Sequence, residues 1–370
     1  MKIICSQQKL EKSVLTVQRA VSAKSTIPTL EGILIKAYNN KILLCGYNLE
    51  IGITTTLTEN IIDEGEAILN AKIFADIIRK LPDDEVTITS DENLITTIKS
   101  KQSKFQITGM NPADYPELPK VKKAKNLSLQ SSSLKSMIKQ TIFAVADTDT
   151  NPIYTGTLFE IENNEIRLVS VDGYRLALRT EPLKEAEPAK FVVPGRALSE
   201  VLKLLPENEE NINITIGQGH IIFELSDYVL ISRLLEGNFL NYKANIPEDH
   251  NTEAIVNVGK FIDSTERVSL LITDRVKSPV RFIFEKDTTK ISCITSLGTA
   301  NDEISTKATG EILEIGFNNR FLLDALKNTD CDEVKIQMNG QLNPMKITPK
   351  EGNSFLFLVL PVRLKADEDN

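Results

Sequence analysis

The chain is poor in the residues from which active sites are most often built. Only two of its 370 residues are histidines, His220 and His250, so the commonest acid–base group and metal ligand is scarce. The four cysteines, Cys5, Cys45, Cys293 and Cys331, are widely separated. No Cys/His spacing of a metal site occurs, and four scattered thiols read as buried side chains of a reduced cytoplasm. There is no Walker phosphate loop. The one G-x-G, in Gly217-Gln-Gly-His220, lacks the rest of the dinucleotide fingerprint and reads as a hairpin turn. No apolar run reaches the ~18 residues of a membrane span. Met1-Lys-Ile-Ile-Cys-Ser runs straight into a strand pattern, with no signal peptide. Carboxylates are plentiful, but Asp83-Asp84-Glu85 and Glu207-Asn208-Glu209-Glu210 follow helix ends and read as solvated turns. The expectation is a protein with no catalytic site, no metal and no cofactor, and a net charge of −8 argues against bulk nucleic-acid binding.

What the chain does contain is repetition. Lys72-Ile-Phe-Ala-Asp-Ile-Ile-Arg-Lys-Leu, Arg196-Ala-Leu-Ser-Glu-Val-Leu-Lys-Leu-Leu and Arg320-Phe-Leu-Leu-Asp-Ala-Leu-Lys begin 124 positions apart. Phe74, Ile77, Ile78 and Leu81 fall at i, i+3, i+4, i+7, and so do Leu198, Val201, Leu202 and Leu205. Leu322, Ala325 and Leu326 repeat the stripe of an amphipathic helix. A strand-like alternation follows each copy, from Val86, Ile212 and Val334. Residues 10–21 match 134–145 at the same spacing, with a looser third copy from Phe261. Gly32–Leu44 matches Gly156–Leu168, two strands around Asn39-Asn40 and Asn163-Asn164, with a third version from Val280. Three units of about 120 residues exceed a solenoid repeat and suit whole domains. The fold class is α+β, with domains at 1–122, 126–247 and 252–364 and an acidic tail at 365–370. Proline-punctuated stretches, Asn111–Lys125 and Phe239–Asp249, mark the boundaries.

Charge is unevenly spread. The six segments read as helices (residues 9–24, 72–80, 134–146, 196–203, 260–272 and 320–327) together carry +9, leaving −17 for the rest of a chain at −8. Two readings are open at this point. The helices share a basic face that holds a phosphate backbone without reading its sequence, or they place Lys and Arg on an ordinary wet side.

Several stretches resemble the bacterial DNA polymerase III beta subunit, the beta sliding clamp family. They are Ser25-Thr-Ile-Pro-Thr-Leu-Glu-Gly-Ile-Leu-Ile, Asn111-Pro-Ala-Asp-Tyr-Pro, Val171-Asp-Gly-Tyr-Arg-Leu-Ala, Pro194-Gly-Arg-Ala-Leu, Leu234-Leu-Glu-Gly-Asn-Phe and Leu360-Pro-Val-Arg-Leu. The match runs in order from Met1 to Leu364. The resemblance implies three similar clamp domains, each of two β-α-β-β-β halves, with helices lining a ring and sheets outside. It implies a cytoplasmic head-to-tail homodimer around duplex DNA, a processivity factor rather than an enzyme. Implied partners are the replicative polymerase, the clamp loader, and other polymerases and repair proteins that bind through short linear motifs, with no membrane.

Site residues follow from the same resemblance. DNA contact is expected at Lys24, Lys72, Arg79, Lys135, Lys139 and Arg196. The dimer interface is expected to set Ile73, Ile77, Lys104 and Phe105 against the partner's copies of Leu270 and Leu271; the alternative is that Ile77 and Leu270 are ordinary core residues, and Ile77 does fit its helix's core stripe. A peptide groove on the second and third domains would use Tyr154, Val171, Tyr174, Arg175, Leu176, Leu240, Pro344, Leu358, Leu360, Pro361, Val362 and Arg363, with Leu176 and Leu360 as the apolar wall and Arg175 binding peptide backbone or carboxylates. The sequence departs from the family pattern at Asn151 (many members carry Arg), Leu240 (commonly Pro), Asn245 (commonly apolar) and Gly195 (commonly basic). The tail Lys365-Ala-Asp-Glu-Asp-Asn either competes for the groove or frays. Two rival readings remain. A scaffold that keeps peptide binding without encircling DNA would have lost dimerisation. An enzyme hidden in a domain cleft would need a nucleophile–base or metal set, and none is visible.

Overall fold

The computed structural model describes residues 1–121, 124–147, 151–184, 187–273 and 275–364, so the acidic tail lies outside the described residues. The fold is α+β. One strand, a helix and three strands recur six times, around helices α1 (Gln7–Val17), α2 (Ala71–Lys80), α3 (Ser131–Ile142), α4 (Gly195–Leu204), α5 (Val258–Val268) and α6 (Asn319–Lys327). Two such units make each of three domains, and short extra strands, Asn60–Asp63 and Lys307–Gly310, join the halves of the first and third.

Local chemistry sets where elements begin and turn. The side chains of Asn70, Asn257 and Asn318 accept hydrogen bonds from the backbone N–H groups of Ile73, Lys260 and Arg320 at 3.0–3.1 Å, capping α2, α5 and α6. Each cap contributes about 1 kcal/mol. In the hairpin turns Asn39 and Asn40 have φ of 53° and 58°, and Asn163 and Asn164 have 53° and 59°. Two consecutive left-handed residues form the turn whose twist matches paired strands, and asparagine tolerates that conformation. Phe74, Ile78, Leu198, Val201, Leu322, Ala325 and Leu326 are buried as their spacing predicts, whereas Ile77 and Leu202 are only half-buried. Residues 9–24 are not one helix. After Val17 the chain makes a 3-10 turn, Gln18–Ala20, and Lys24 sits in the following loop. Helix α1 lies close on its sheet at Gly46, where a Cβ would come within 2.0 Å of the Val17 carbonyl oxygen.

The sheets join the domains. Tyr228–Arg233, the last strand of the second domain, pairs antiparallel with Ile51–Leu57, the fourth main strand of the first, with Leu230 opposite Ile53. One eight-stranded sheet results. Phe355–Val359, last in the third domain, pairs with Arg175–Pro182, the fourth strand of the second, with Phe357 opposite Ala177. That makes a nine-stranded sheet. The same junction is thus built twice. The two strands left over by this rule, Ser103–Thr108 and Gly298–Ser305, are terminal strands of a five-stranded and a four-stranded sheet.

The connecting segments fold onto sheet edges instead of hanging free as linkers. Backbone N–H groups of Met110, Leu235 and Val362 donate to the carbonyls of Ile68, Val192 and Gly316 at 2.8–2.9 Å, one such clasp per domain. Tyr115 is buried, its hydroxyl donating to the Cys45 carbonyl at 3.3 Å. By its contacts the chain divides into two compact units, Met1–Ser132 with Arg196–Leu234, and Ser133–Gly195 with Leu235–Asn370. The division passes through the middle domain because each of its halves shares a sheet with a different neighbour. In the third domain Phe261, Phe282, Phe284, Phe317 and Phe357 belong to one buried core cluster. Cys5, Cys45 and Cys293 are buried, while Cys331 is only half-buried, contrary to its expected burial. Burial pushes the Cys5 thiol up to about 12 and the Cys45 thiol up to about 11, so neither forms a reactive thiolate near neutral pH.

Candidate functional site

Five of the twelve groove candidates converge on one apolar cluster in the second compact unit. Val171, Leu176 and Leu358 are buried in it, and Tyr154 and Leu240 pack against its side. Leu176 lies opposite Leu358 in the strand pair that joins the second and third domains, so the sheet junction itself creates the site. Around it Tyr174 is 61% exposed, and Leu360 and Val362 are each 40% exposed. Exposed apolar side chains of this size beside an apolar floor suit an apolar ligand. Pro344 and Pro361 are half-buried and Arg363 is exposed.

Arg175 is held differently from the expectation. Its Nε donates to Asp172 Oδ2 at 2.9 Å, and a second guanidinium nitrogen is paired with Asp324 of α6. The guanidinium carbon lies 4.7 Å from the centre of the Phe321 ring and 5.6 Å from that of Phe143. Asp172 also accepts from the backbone N–H groups of Tyr174 and Arg175 at 2.9 and 3.0 Å, closing the turn at Gly173, where φ is +89°. Tyr174 stacks on Phe321 at 5.4 Å between ring centres, and its carbonyl accepts from the Leu360 N–H at 2.9 Å. With both charges of its environment already paired to it, Arg175 fixes this corner and does not point a free guanidinium at a peptide.

The remaining wall comes from the segment after the second domain. Phe239 meets Tyr154 edge to face, with ring centres 5.6 Å apart, and Phe239 and Ile246 pack on the cluster beside Leu240. Asn245 is exposed and donates to the Asn241 carbonyl at 3.1 Å, so Ile246 supplies the apolar contact at this point of the chain. Asn151 is exposed ahead of the 3-10 turn Pro152–Thr155. Below, Tyr242 is buried and donates to Glu160 Oε2 at 2.6 Å. Glu160 also faces Lys243, Lys190 and Arg167 at 3.2, 3.5 and 3.5 Å. Burial pushes its carboxyl up, but Tyr242, Lys243 and Lys190 more than offset that and hold it below the usual carboxylate range. Phe239, Ile246, Tyr242 and Phe321 were not singled out from sequence. The one available signal was the 124-residue offset placing Phe239 on Tyr115 of the Asn-Pro-Ala-Asp-Tyr-Pro motif.

The expected cations fall into two kinds. Lys24, Lys72 and Arg196 are exposed and make no ion pair among the described residues. Lys72 lines a cleft of about 590 Å³ with Arg19, Glu31 and Asn70. Arg79 pairs with Asp76 at 2.5 Å, and Lys139 lies 3.7 Å from Asp330. These are exposed pairs, worth about 0–1 kcal/mol, and a phosphate can displace them. Lys135 is half-buried on α3. Gly195 is buried at the start of α4, where a Cβ would stand 3.1 Å from the Thr155 carbonyl oxygen.

Two of the expected dimer residues lie on one terminal strand, and Leu270 and Leu271 lie in a turn that contacts the other. Lys104 and Phe105 lie on Ser103–Thr108, and Phe105 is 40% exposed. Ile73 on α2 is 50% exposed, and Ile77 is half-buried. Leu270, in the turn after α5, is 79% exposed, with Leu271 half-buried beside it. Gly217–His220 forms the expected hairpin turn, the Gly217 N–H donating to the His220 carbonyl at 2.9 Å.

Comparison with known proteins agrees with the geometry. Residues 1–119, 128–241 and 243–363 match the N-terminal, central and C-terminal domains of the DNA polymerase III beta subunit in turn. The beta sliding clamp of Staphylococcus epidermidis strain ATCC 35984 is 33% identical over 356 residues, covering 93% of this chain and 94% of that one. A solved chain from Eubacterium rectale ATCC 33656 is 36% identical, with a TM-score of 0.94 over 98% of this chain and 99% of that one. The DNA polymerase sliding clamp of Bacillus subtilis is 31% identical, with a TM-score of 0.94 over 99% of this chain and all of that one. No helix among the described residues is long and apolar enough to cross a membrane. Triplicated domains, matching order and near-complete coverage together place this chain in the DNA polymerase III beta subunit family, the beta sliding clamps.

Proposed function

We propose that two copies of this chain close head to tail into a ring around duplex DNA and tether the replicative polymerase, without catalysis by the clamp itself. The observation that carries this reading is the unfinished sheet rule. Within the chain, the last strand of a domain twice adds to the fourth strand of the domain before it. Ser103–Thr108 of one copy and Gly298–Ser305 of another are the two strands that would continue the pattern. Their charges complement each other, Lys104 on one and Asp302 and Glu303 on the other. Exposed Phe105, Ile73 and Leu270 give the contact an apolar centre. Such a heterologous contact closes into a ring when the rotation permits. A row of exposed strand edge without that partner would invite aggregation.

In the ring the helices face DNA, and Lys24, Lys72, Arg79, Lys135, Lys139 and Arg196 hold phosphates from several sides. Contacts to phosphate carry no sequence information, so the duplex has no preferred register and the protein slides. The net −8 of the chain keeps DNA from binding elsewhere. The cluster around Leu176 and Leu358 takes short peptide segments of the polymerase, the clamp loader and repair proteins. Domains at 1–122, 126–247 and 252–364 complete this reading.

Reversing Lys24, Lys72 and Arg196 to glutamate tests the charge assignment. In fluorescence anisotropy on a short linear duplex, the slope of log K against log salt is expected to shrink by about 3, near 0.9 per phosphate contact. An unchanged slope would remove these three side chains from the DNA face.

A further inference from the structure

The repeat allows one domain junction to be compared with the other at a fixed offset of 124 residues. Tyr242 corresponds to Leu118, Leu176 to Gly52, Glu160 to Lys36 and Lys190 to Glu66. At the first junction the connecting segment lies down on the sheet. A Cβ on Gly52 would meet Leu118 Cδ2 at 2.6 Å, so the leucine methyl rests against the backbone where the second junction carries the Leu176 side chain. Lys36 and Glu66 pair at 3.1 Å, and leucine has no hydroxyl to reach them. At the second junction the corresponding side chain takes another course. Tyr242 is buried to 2% exposure, with its hydroxyl 2.6 Å from Glu160, a carboxylate that is itself only 8% exposed.

We infer that Tyr242 and Glu160 are positioning residues that fix the Phe239–Ile246 segment as a side wall of the groove beside Leu176 and Leu358, whereas at the first junction Leu118 of the chain's own connecting segment takes the corresponding place. The inference rests on the groove reading proposed above and explains why one of two repeated junctions would take a ligand. The segment has other, more exposed anchors, Lys243 Nζ lying 3.2 Å from Glu160 and 3.5 Å from Glu162. The Leu235 N–H clasps Val192, and Lys346 Nζ donates to the Pro247 carbonyl at 3.1 Å, one before and one after the Phe239–Ile246 stretch. Between them the Tyr242 hydroxyl is the buried tie, and a hydrogen bond to a buried carboxylate is among the stronger kinds.

The test is the affinity of the full-length protein for a fluorescein-labelled synthetic peptide bearing the C-terminal residues of the source organism's own replicative polymerase. Tyr242→Phe, which removes only the hydroxyl, and Glu160→Ala should each weaken binding about tenfold, the size of a lost charge-assisted hydrogen bond. Glu160→Gln keeps an acceptor and should recover most of the affinity. The double variant Tyr242→Phe/Glu160→Ala should bind no worse than Glu160→Ala alone, because the alanine already removes the acceptor of the Tyr242 hydroxyl together with the Lys243 pair. Tyr242→Leu, which copies the first junction, should bind most weakly. Self-association of Tyr242→Phe should match the parent and its unfolding midpoint should fall by only a few degrees, about the worth of one hydrogen bond, which a general loss of structure would not allow. Leu360→Asp serves as the control for the groove. If the parent binds and Leu360→Asp does not, yet Tyr242→Phe and Glu160→Ala bind like the parent, the positioning role is refuted while the groove stands. Strictly additive losses in the double variant would refute it equally. If the parent itself does not bind the peptide, the groove reading fails and this inference falls with it.

Discussion

Leu270→Asp is expected to be a monomer where the parent forms the proposed dimer. Leu270 is 79% exposed in the single chain, so the substitution leaves the fold intact. In the proposed head-to-tail contact the partner chain covers this side chain. Burying such a side chain contributes about 1.5–3 kcal/mol. A two-chain ring has two identical interfaces, so one substitution acts twice. The combined loss of about 3–6 kcal/mol weakens self-association by roughly 10²–10⁴-fold. A carboxylate forced against Ile73 and Phe105 adds a desolvation penalty in the same direction. Sedimentation equilibrium at micromolar concentration should show a single-chain mass with an unchanged circular-dichroism spectrum. Retention of the dimer would mean that the exposed leucine faces solvent and that the ring closes elsewhere.

Leu360→Asp is expected to abolish peptide capture while leaving dimerisation and the fold alone. The side chain is 40% exposed, and the backbone N–H that ties Leu360 to the Tyr174 carbonyl is untouched by the change. Truncating a central apolar anchor of an interface costs 2 kcal/mol or more, about 30-fold, and a charge in its place costs further. Isothermal titration with the polymerase-tail peptide should therefore show affinity falling by at least about 30-fold. Undiminished binding would move the groove away from the Leu176–Leu358 junction.

The sequence carried the repeated parts of this structure well, for a physical reason. Helix stripes and Asn-Asn turns are local devices whose spacing and φ requirements are written in adjacent residues, so Phe74, Ile78 and Asn39-Asn40 could be read directly. Contacts between distant segments leave no such trace. Nothing near Tyr228–Arg233 announces that it pairs with Ile51–Leu57 in another domain. The resemblance gave Arg175 to the groove, and nothing near it in sequence shows its pairing with Asp324, 149 residues away. Lys24 was counted with a helix because the break after Val17 is a 3-10 turn without proline or glycine. Ile77 is the instructive intermediate. Its position in the stripe predicts a core residue, its half-burial leaves a surface for a partner, and a helix serving both has no single periodicity to display.

The central claim is topological, and a topological measurement addresses it most directly. The protein is loaded onto a nicked circular duplex by the source organism's clamp loader with ATP, the complex is isolated by gel filtration, and the DNA is then cut once and filtered again. A closed ring that slides stays with the circles and runs off the linear ends. Protein that remains on the linear DNA would show that it binds by contact, and encirclement would be wrong for this chain.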